Sequence, residues 1–296
     1  MISVVIVNYN AGQLLADCVG SALPQVDEVI VVDNASRDAS MDECARLYSA
    51  DTRLTLVQNG SNLGFSAACN VGFLRSRGDY ILFLNPDCHL DARAVAALMA
   101  ALQADPLVGM VGGLLMNLDG SEQIGGRRAI PTPWRSFVRA FGLNRFEKRW
   151  PKLFFDFNLH KQFLPREPID VEAISGACML VKRQAVDTVG LWDEGYFLHC
   201  EDLDWCMRFR QKGWNILFVP SAHILHALGV SSRGRPIFVE WHKHKGMMRF
   251  YRKFFRHQYP GVVMGLVVTG VWLRFGLLAV YYLAKRAGQT LGLVRG

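Results

Sequence analysis

Residues 80–87 read Tyr-Ile-Leu-Phe-Leu-Asn-Pro-Asp, five mainly apolar residues followed by a polar step at Asn85, Pro86 and Asp87. A run that short and that apolar suits a strand covered on both faces, and the polar step marks where it leaves the sheet. Two earlier stretches share this form: residues 3–7 run into Asn8, Tyr9 and Asn10, and residues 28–32 run into Asp33 and Asn34. Asp and Asn at strand ends are common turn and cap residues, so each alone carries little weight. Three such steps at one sheet edge form a candidate site.

Further strands are expected over residues 54–58 and 110–115, with helical spacing over 13–22, 40–49, 66–76 and 91–104. This alternation predicts an α/β fold with a mainly parallel sheet flanked by helices. Ligands of such sheets sit beyond the carboxyl ends of the strands. Residues 8–12, Asn-Tyr-Asn-Ala-Gly, match neither a G-x-G-x-x-G turn nor a Walker A loop, which argues against hydride transfer and NTPase chemistry.

Residues 125–168 break the pattern and interleave arginines and lysines with Trp134, Phe137, Phe141, Phe146 and Trp150. A strand-like run over 172–181 resumes the core. Residues 201–212 read as a helix, and a last strand over 215–219 is expected to end at Pro220. Three acids, Glu201, Asp202 and Asp204, open that helix, more than a helix cap requires. One of them is a candidate general base. His223 and His226 follow the last strand, with Ser231 and Ser232 beyond.

Charge divides the chain. Residues 233–296 carry 12 Lys/Arg and one acid, Glu240, a net +11, whereas the first 232 residues carry 21 bases and 25 acids. Residues 241–256 have the composition of an amphipathic helix lying on an anionic membrane surface. Residues 261–284 would span roughly 36 Å as a helix, although Arg274 would cost about 3 kcal/mol or more at the centre of a bilayer. Bases on both flanks favour a helix in the interface or a shallow hairpin. The seven cysteines show no zinc or paired spacing and are expected to be reduced. The chain opens on a strand rather than a signal peptide, so a cytosolic location is expected.

Seven ordered segments, VVIVNYN, VVDNAS, NLGFSAACNVG, LFLNPD, SGACMLV, GLWDEGYFLHCEDLDWCMR and HILHALGVS, resemble family 2 glycosyltransferases of the GT-A fold. More narrowly, they resemble the rhamnosyltransferase-like branch that builds cell-surface polysaccharides. The resemblance covers residues 1–232, leaving 233–296 as a membrane-associating helical tail and 125–168 as an insert near the acceptor or membrane. It implies that Asp33 binds the donor nucleoside beside Asn8, Tyr9 and Asn10, and that Asn62, Gly64 and Asn70 shape the floor under ribose and sugar. Asn85-Pro86-Asp87 matches the family's D-x-D position with Asn first, so metal binding falls to Asp87. His226 matches a histidine that completes the metal shell. Asp202 matches the catalytic base of an E-D pair, with Gly176, Glu201 and Asp204 along the substrate.

What the resemblance implies is an inverting transferase using a divalent metal, Mg²⁺ or Mn²⁺. It would move a sugar from a nucleotide-diphosphate donor to a lipid-linked glycan at the cytoplasmic face of the cell membrane. Rhamnose from a thymidine-diphosphate donor is the expected sugar, with a uridine-diphosphate hexose or hexosamine as the alternative. A non-catalytic relative would have lost Asp87 or Asp202, and both are present. A nucleotidyltransferase would place a basic glycine-rich loop after the first strand, where NYNAGQ has no base. Nucleic acid is not expected as a partner, because no recognised binding motif accompanies the basic and aromatic residues.

Overall fold

The structure is a computed structural model that describes residues 1–227 and 235–290; Ser231, Ser232, Arg295 and the expected boundary at residue 232 lie outside the described residues. The first half alternates as expected: β1 (Ile2–Asn8), α1 (Gln13–Ala22), β2 (Glu28–Asp33), α2 (Ser40–Tyr48), β3 (Leu54–Gln58), α3 (Phe65–Arg75) and β4 (Tyr80–Leu84). There follow β5 (Cys88–Leu90), α4 (Ala94–Ala104) and β6 (Val108–Met116). The insert contributes β7 (Arg127–Arg128) and α5 (Pro133–Ala140). The core resumes with β8 (Ile169–Asp170), β9 (Ala173–Ile174), β10 (Cys178–Lys182), α6 (Arg183–Val189), α7 (Glu201–Gln211) and β11 (Asn215–His226). Two helices close the chain, α8 (Pro236–Phe254) and α9 (Gly261–Thr290).

The main sheet runs β3-β2-β1-β4-β10-β6-β11-β5, with β8 also paired to β11. Its first four strands are parallel. The sheet is less uniformly parallel than expected, because β10 enters between β4 and β6 and runs antiparallel to both. The run over 172–181 therefore divides. Its first part, β9, pairs with β7 in a separate two-stranded sheet, and only its second part joins the core.

The last strand does not end at Pro220. Its register against β6 shifts between Val219 and His223 and then resumes as His223↔Leu114, Ile224↔Leu115 and Leu225↔Met116. A bulge is where a strand tolerates a proline, since the missing N–H falls outside the ladder. Gly113 lets the bulge approach, because a Cβ there would lie 2.5 Å from the Ala222 carbonyl oxygen. The continued strand then pairs antiparallel with β5, Cys88 opposite His226.

Apolar clusters fill both faces of the sheet. One contains Val4, Ile6, Leu15, Val19, Leu98 and Leu102 beneath α1 and α4. The other contains Phe83, Met179, Trp192, Trp205 and Phe209 beneath α7, and it also takes in Phe250, Tyr251 and Phe255. These last residues correct the expectation for 241–256. The apolar stripe of α8 is buried in the protein core rather than offered to lipid. Two of its bases are also used internally: Lys253 Nζ lies 2.6 Å from Asp204 and 2.8 Å from Asp193, and Arg249 Nη2 lies 2.8 Å from Asp193.

Helix α9 has a different character. Residues 261–289 form a helix long and apolar enough to cross a membrane, and it lies outside the protein core. Met264, Val267 and Val271 rest on the core, whereas Leu266, Leu273, Leu277 and Val280 are exposed. Arg274 turns toward α8, where its Nη1 is 3.0 Å from His244 Nε2 and 3.9 Å from Glu240. The Arg274 side chain nevertheless stays 53% exposed, so its charge is only partly answered by Glu240.

Because Phe250 is fully buried, Phe250→Ala should cost about 3–5 kcal/mol of stability in chemical denaturation. A loss below about 1 kcal/mol, as for ordinary surface positions, would show that α8 does not belong to the folded domain.

Candidate active site

The adjoining ends of β1 and β2 form the first subsite. Asn8 pairs in register with Asp33, and its buried amide donates to Asp33 Oδ1 (2.9 Å) and Ser40 Oγ (2.8 Å). Asp33 Oδ2 accepts from the Ser36 backbone N–H at 3.0 Å. Asn10 Oδ1 accepts from the Arg37 N–H at 2.7 Å, and its own N–H donates to Ser36 Oγ. The two loops are thus held as one surface, with Tyr9 half-buried beside them.

Asn34 ties the next loop to this surface. Its Oδ1 accepts from Asn59 Nδ2 and the Leu63 N–H, while its Nδ2 donates to Asn62 Oδ1 and the Gly64 carbonyl, all at 3.1 Å. Asn62 therefore shapes the loop. Gly64 has φ +86°, and a Cβ there would lie 2.8 Å from the Phe197 carbonyl oxygen, so glycine is required. Asn70 is not part of this surface. Its amide donates to the Trp192 carbonyl (3.0 Å) and Glu194 (2.8 Å), and its Oδ1 accepts from the Trp192 N–H (3.0 Å). It is a buried clamp between α3 and the loop before α7.

The second subsite is made by β5 pairing with β11. Asp87 Oδ1 lies 3.1 Å from His226 Nε2, and the Asp87 carbonyl accepts from the Ala227 N–H at 3.0 Å. His226 Nδ1 is 2.6 Å from Gln123 Oε1. The Gln123 amide nitrogen points away, to Asn117 Oδ1 and the His226 carbonyl. Nδ1 therefore carries a proton, and in the neutral ring Nε2 aims a lone pair at a carboxylate oxygen. Asn85 Nδ2 stands 3.4 Å from the same Nε2, too far to satisfy both acceptors. Either a proton on Nε2 or a cation shared with Asp87 resolves this geometry, and the Gln123 contact is the kind of outer partner that a metal-bound histidine takes.

The ligand atoms of Asp87, Cys88 and His226 lie within 4.8 Å of one another. Burial pushes the Cys88 thiol well above its ordinary range, with Cys18 and Asp87 adding to the effect. The carboxylate–imidazole pair is then the usable donor set, and it suits a divalent ion that completes its shell with phosphate oxygens. His223 is not part of it. Alternation along β11 turns it to the opposite face, where it lines a surface cavity of about 600 Å³ with His89 and Asp91.

The third subsite opens α7. Asp202 Oδ2 accepts from Arg128 Nη2 and from the Gly176 N–H at 3.2 Å, and Oδ1 accepts from the Leu203 N–H at 2.8 Å. Arg128 belongs to the insert, so β7 reaches the head of α7. Glu201 is buried with Oε2 unpartnered. Burial, reinforced by the neighbouring Asp202 carboxylate, pushes the Glu201 carboxyl up to about 8. Asp204 is withdrawn from the site: it is fully buried, and its oxygens contact Arg208 Nε (2.6 Å), Lys253 Nζ (2.6 Å) and Tyr196 Oη (3.2 Å). It anchors α8.

Four non-glycine residues have left-handed backbone among the described residues, namely Asn10, Ala35, His199 and Cys200. All four lie in loops that shape these subsites, where stored strain is commonly found. The turn at His199–Cys200 leads directly into Glu201–Asp202 and is backed by α8, since a Cβ on Gly246 would sit 2.6 Å from the His199 carbonyl oxygen.

Residues 3–190 match the family described as glycosyl transferase family 2. The chain is also 30% identical over 240 residues to the N-acetylglucosaminyl-diphospho-decaprenol L-rhamnosyltransferase of Mycobacterium tuberculosis, covering 76% of both chains. The chain belongs to glycosyltransferase family 2. Two solved glycosyltransferases share the fold. One is GalNAc-T7 with UDP, GalNAc and Mn²⁺, at TM-score 0.62 and 19% identity, over 85% of this chain and 47% of that one. The other is the mannosyltransferase PcManGT of Pyrobaculum calidifontis with GDP-Man and Mn²⁺, at TM-score 0.58 and 17% identity, over 98% and 80%.

This family 2 enzyme contains two site residues that its sequence does not single out. Gln123 sits in a polar loop, and Arg128 looks like any other base of the insert. Only the folded chain places one behind His226 and the other on Asp202.

The raised Glu201 carboxyl makes a stability prediction. Below its unfolded value of 4.5 the group is neutral in both states and costs nothing; the penalty of holding it buried grows from there to about 8 and then levels. Glu201→Gln should therefore gain melting temperature relative to the wild type as pH rises through that window. A difference independent of pH would show that Glu201 ionises normally.

Proposed function

We propose that this chain transfers L-rhamnose from dTDP-rhamnose to N-acetylglucosamine on a polyprenyl diphosphate, with inversion, at the cytoplasmic face of the membrane. The observation that carries the chemistry is the joint presence of an Asp87–His226 pair, whose donor atoms suit a divalent ion, and a separate carboxylate, Asp202, at the head of α7. The sugar and acceptor follow the name of the mycobacterial relative, and seven buried free thiols suit a reducing compartment.

In this reading the Asn8, Tyr9 and Asn10 loop and Asp33 receive the nucleoside. Asp87 and His226 hold a divalent ion, which when bound offsets charge on the departing diphosphate. Asp202 Oδ2 takes the proton of the acceptor hydroxyl as its oxygen bonds to the anomeric carbon and the bond to the diphosphate breaks. A single displacement inverts the configuration. Arg128 and the Gly176 N–H fix the direction of Oδ2, and the fixed turn beneath Glu201 keeps the carboxylate from retreating. Helix α9 keeps the enzyme where a lipid-linked acceptor is found.

The test is transfer from dTDP-rhamnose to a short-chain prenyl-diphosphate N-acetylglucosamine in the presence of Mn²⁺ or Mg²⁺. Asp202→Asn should lower kcat about 10²–10⁴-fold with donor affinity unchanged. Wild-type turnover in that variant would remove Asp202 as the base. Transfer from UDP-hexoses but not from dTDP-rhamnose would replace the donor.

A further inference from the structure

We infer that the insert carries a second membrane contact, an anionic-lipid docking patch built on the rings of Trp134, Phe137, Phe141 and Trp150. This rests on the proposed reading that the acceptor is lipid-linked. Helix α5 is two-faced. Pro133 and Val138 are buried, while Trp134, Phe137 and Phe141, one and two turns apart, face outward at 43%, 44% and 66% exposure. Trp134 stacks on Phe137 at 5.5 Å and 18°, and Phe137 meets Phe141 at 4.5 Å, while Trp150, 48% exposed, groups with Phe146 and Phe154 in the following segment. The Trp134 indole N–H donates to the Leu153 carbonyl at 2.7 Å, so its polar edge is satisfied and its face is left free. Exposed apolar surface of this extent marks an interaction site.

Charge identifies the partner. The inward bases of the insert are paired, Arg127 with Glu122, Arg128 with Asp202, Arg135 with Glu172 and Arg139 with Asp156. Arg145, Lys148, Arg149 and Lys152 are exposed instead, and none forms a salt bridge with a described carboxylate. Arg145 and Arg149 lie over the rings of Phe146 and Trp150. Aromatic rings ringed by unpaired bases fit the headgroup region of an anionic bilayer. Rings already stacked together leave no slots for nucleobases, which disfavours nucleic acid.

Position supports the same occupant. Tyr259, just before α9, shares a cavity of about 490 Å³ with Trp134, Lys152 and Leu153. Tyr251 Oη and Ser136 Oγ, 2.7 Å apart, join α8 to α5. The patch therefore emerges beside the root of α9. The same insert supplies Arg128 to Asp202, so a bilayer against the patch brings lipid-linked sugar close to the base.

All seven native cysteines are buried, so Phe141→Cys in the full-length protein would take an environment-sensitive fluorophore selectively. Vesicles of phosphatidylglycerol and phosphatidylcholine should shift its emission to the blue, and brominated lipid should quench it. Phe137→Ser/Phe141→Ser/Trp150→Ser should weaken vesicle affinity about tenfold or more while leaving kcat on a short-chain acceptor unchanged. Protein that sediments with vesicles while the label stays in water overturns the patch and leaves the membrane reading intact. Protein that ignores vesicles overturns both. A blue shift without vesicles that grows with protein concentration assigns the face to a second copy of the chain and also overturns the patch.

Discussion

The antiparallel pairing of β5 with the end of β11 is the constraint on which the site depends. Asp87 follows β4, and His226 ends a strand three places away in the sheet. Only because Cys88 lies opposite His226, with the Ala227 N–H on the Asp87 carbonyl, do the carboxylate and imidazole meet. The Pro220 bulge permits this by carrying β11 beyond the point where a regular strand would stop. Gln123 then fixes the ring so that Nε2 faces the Asp87 carboxylate, a geometry that suits either a proton on Nε2 or a shared cation.

The second constraint is the burial of Asp204. A carboxylate without solvent requires cations, and Arg208 and Lys253 provide them. Lys253 belongs to α8, so the core holds the first helix of the basic tail by charge as well as through Phe250 and Tyr251. In return α8 supports the His199–Cys200 turn that aims Glu201 and Asp202. What reads in sequence as one membrane tail is two parts, a helix completing the catalytic domain and an apolar helix beside it. Removing residues 236–255 would strip the support from the turn that leads into Glu201 and Asp202.

Much of the fold was legible because long periodic segments leave little choice. Helix α1 falls on residues 13–22 as its spacing requires, and β1 to β4 lie where the apolar runs place them. Strand β5 has three residues, too few for a period to register. The destination of α8 was hidden for another reason, since an amphipathic stripe looks the same whether lipid or protein covers it. At the site, Asp87, His226, Glu201 and Asp202 could be picked out as polar groups where strands end or helices begin. Asp204 occupies an equally suggestive position and Asn70, mid-helix, entered only through the family resemblance; both prove to be buried clamps. Gln123 and Arg128 gave no signal, because their roles depend on contacts 103 and 74 residues away.

We propose that Asp87 and His226 together hold a divalent cation. Titration of the purified full-length protein with Mn²⁺ in the presence of thymidine diphosphate, read by electron paramagnetic resonance, tests it most directly. One bound ion per chain is expected, lost in Asp87→Ala and weakened in His226→Ala. Mn²⁺ binding that is unchanged in Asp87→Ala would contradict it.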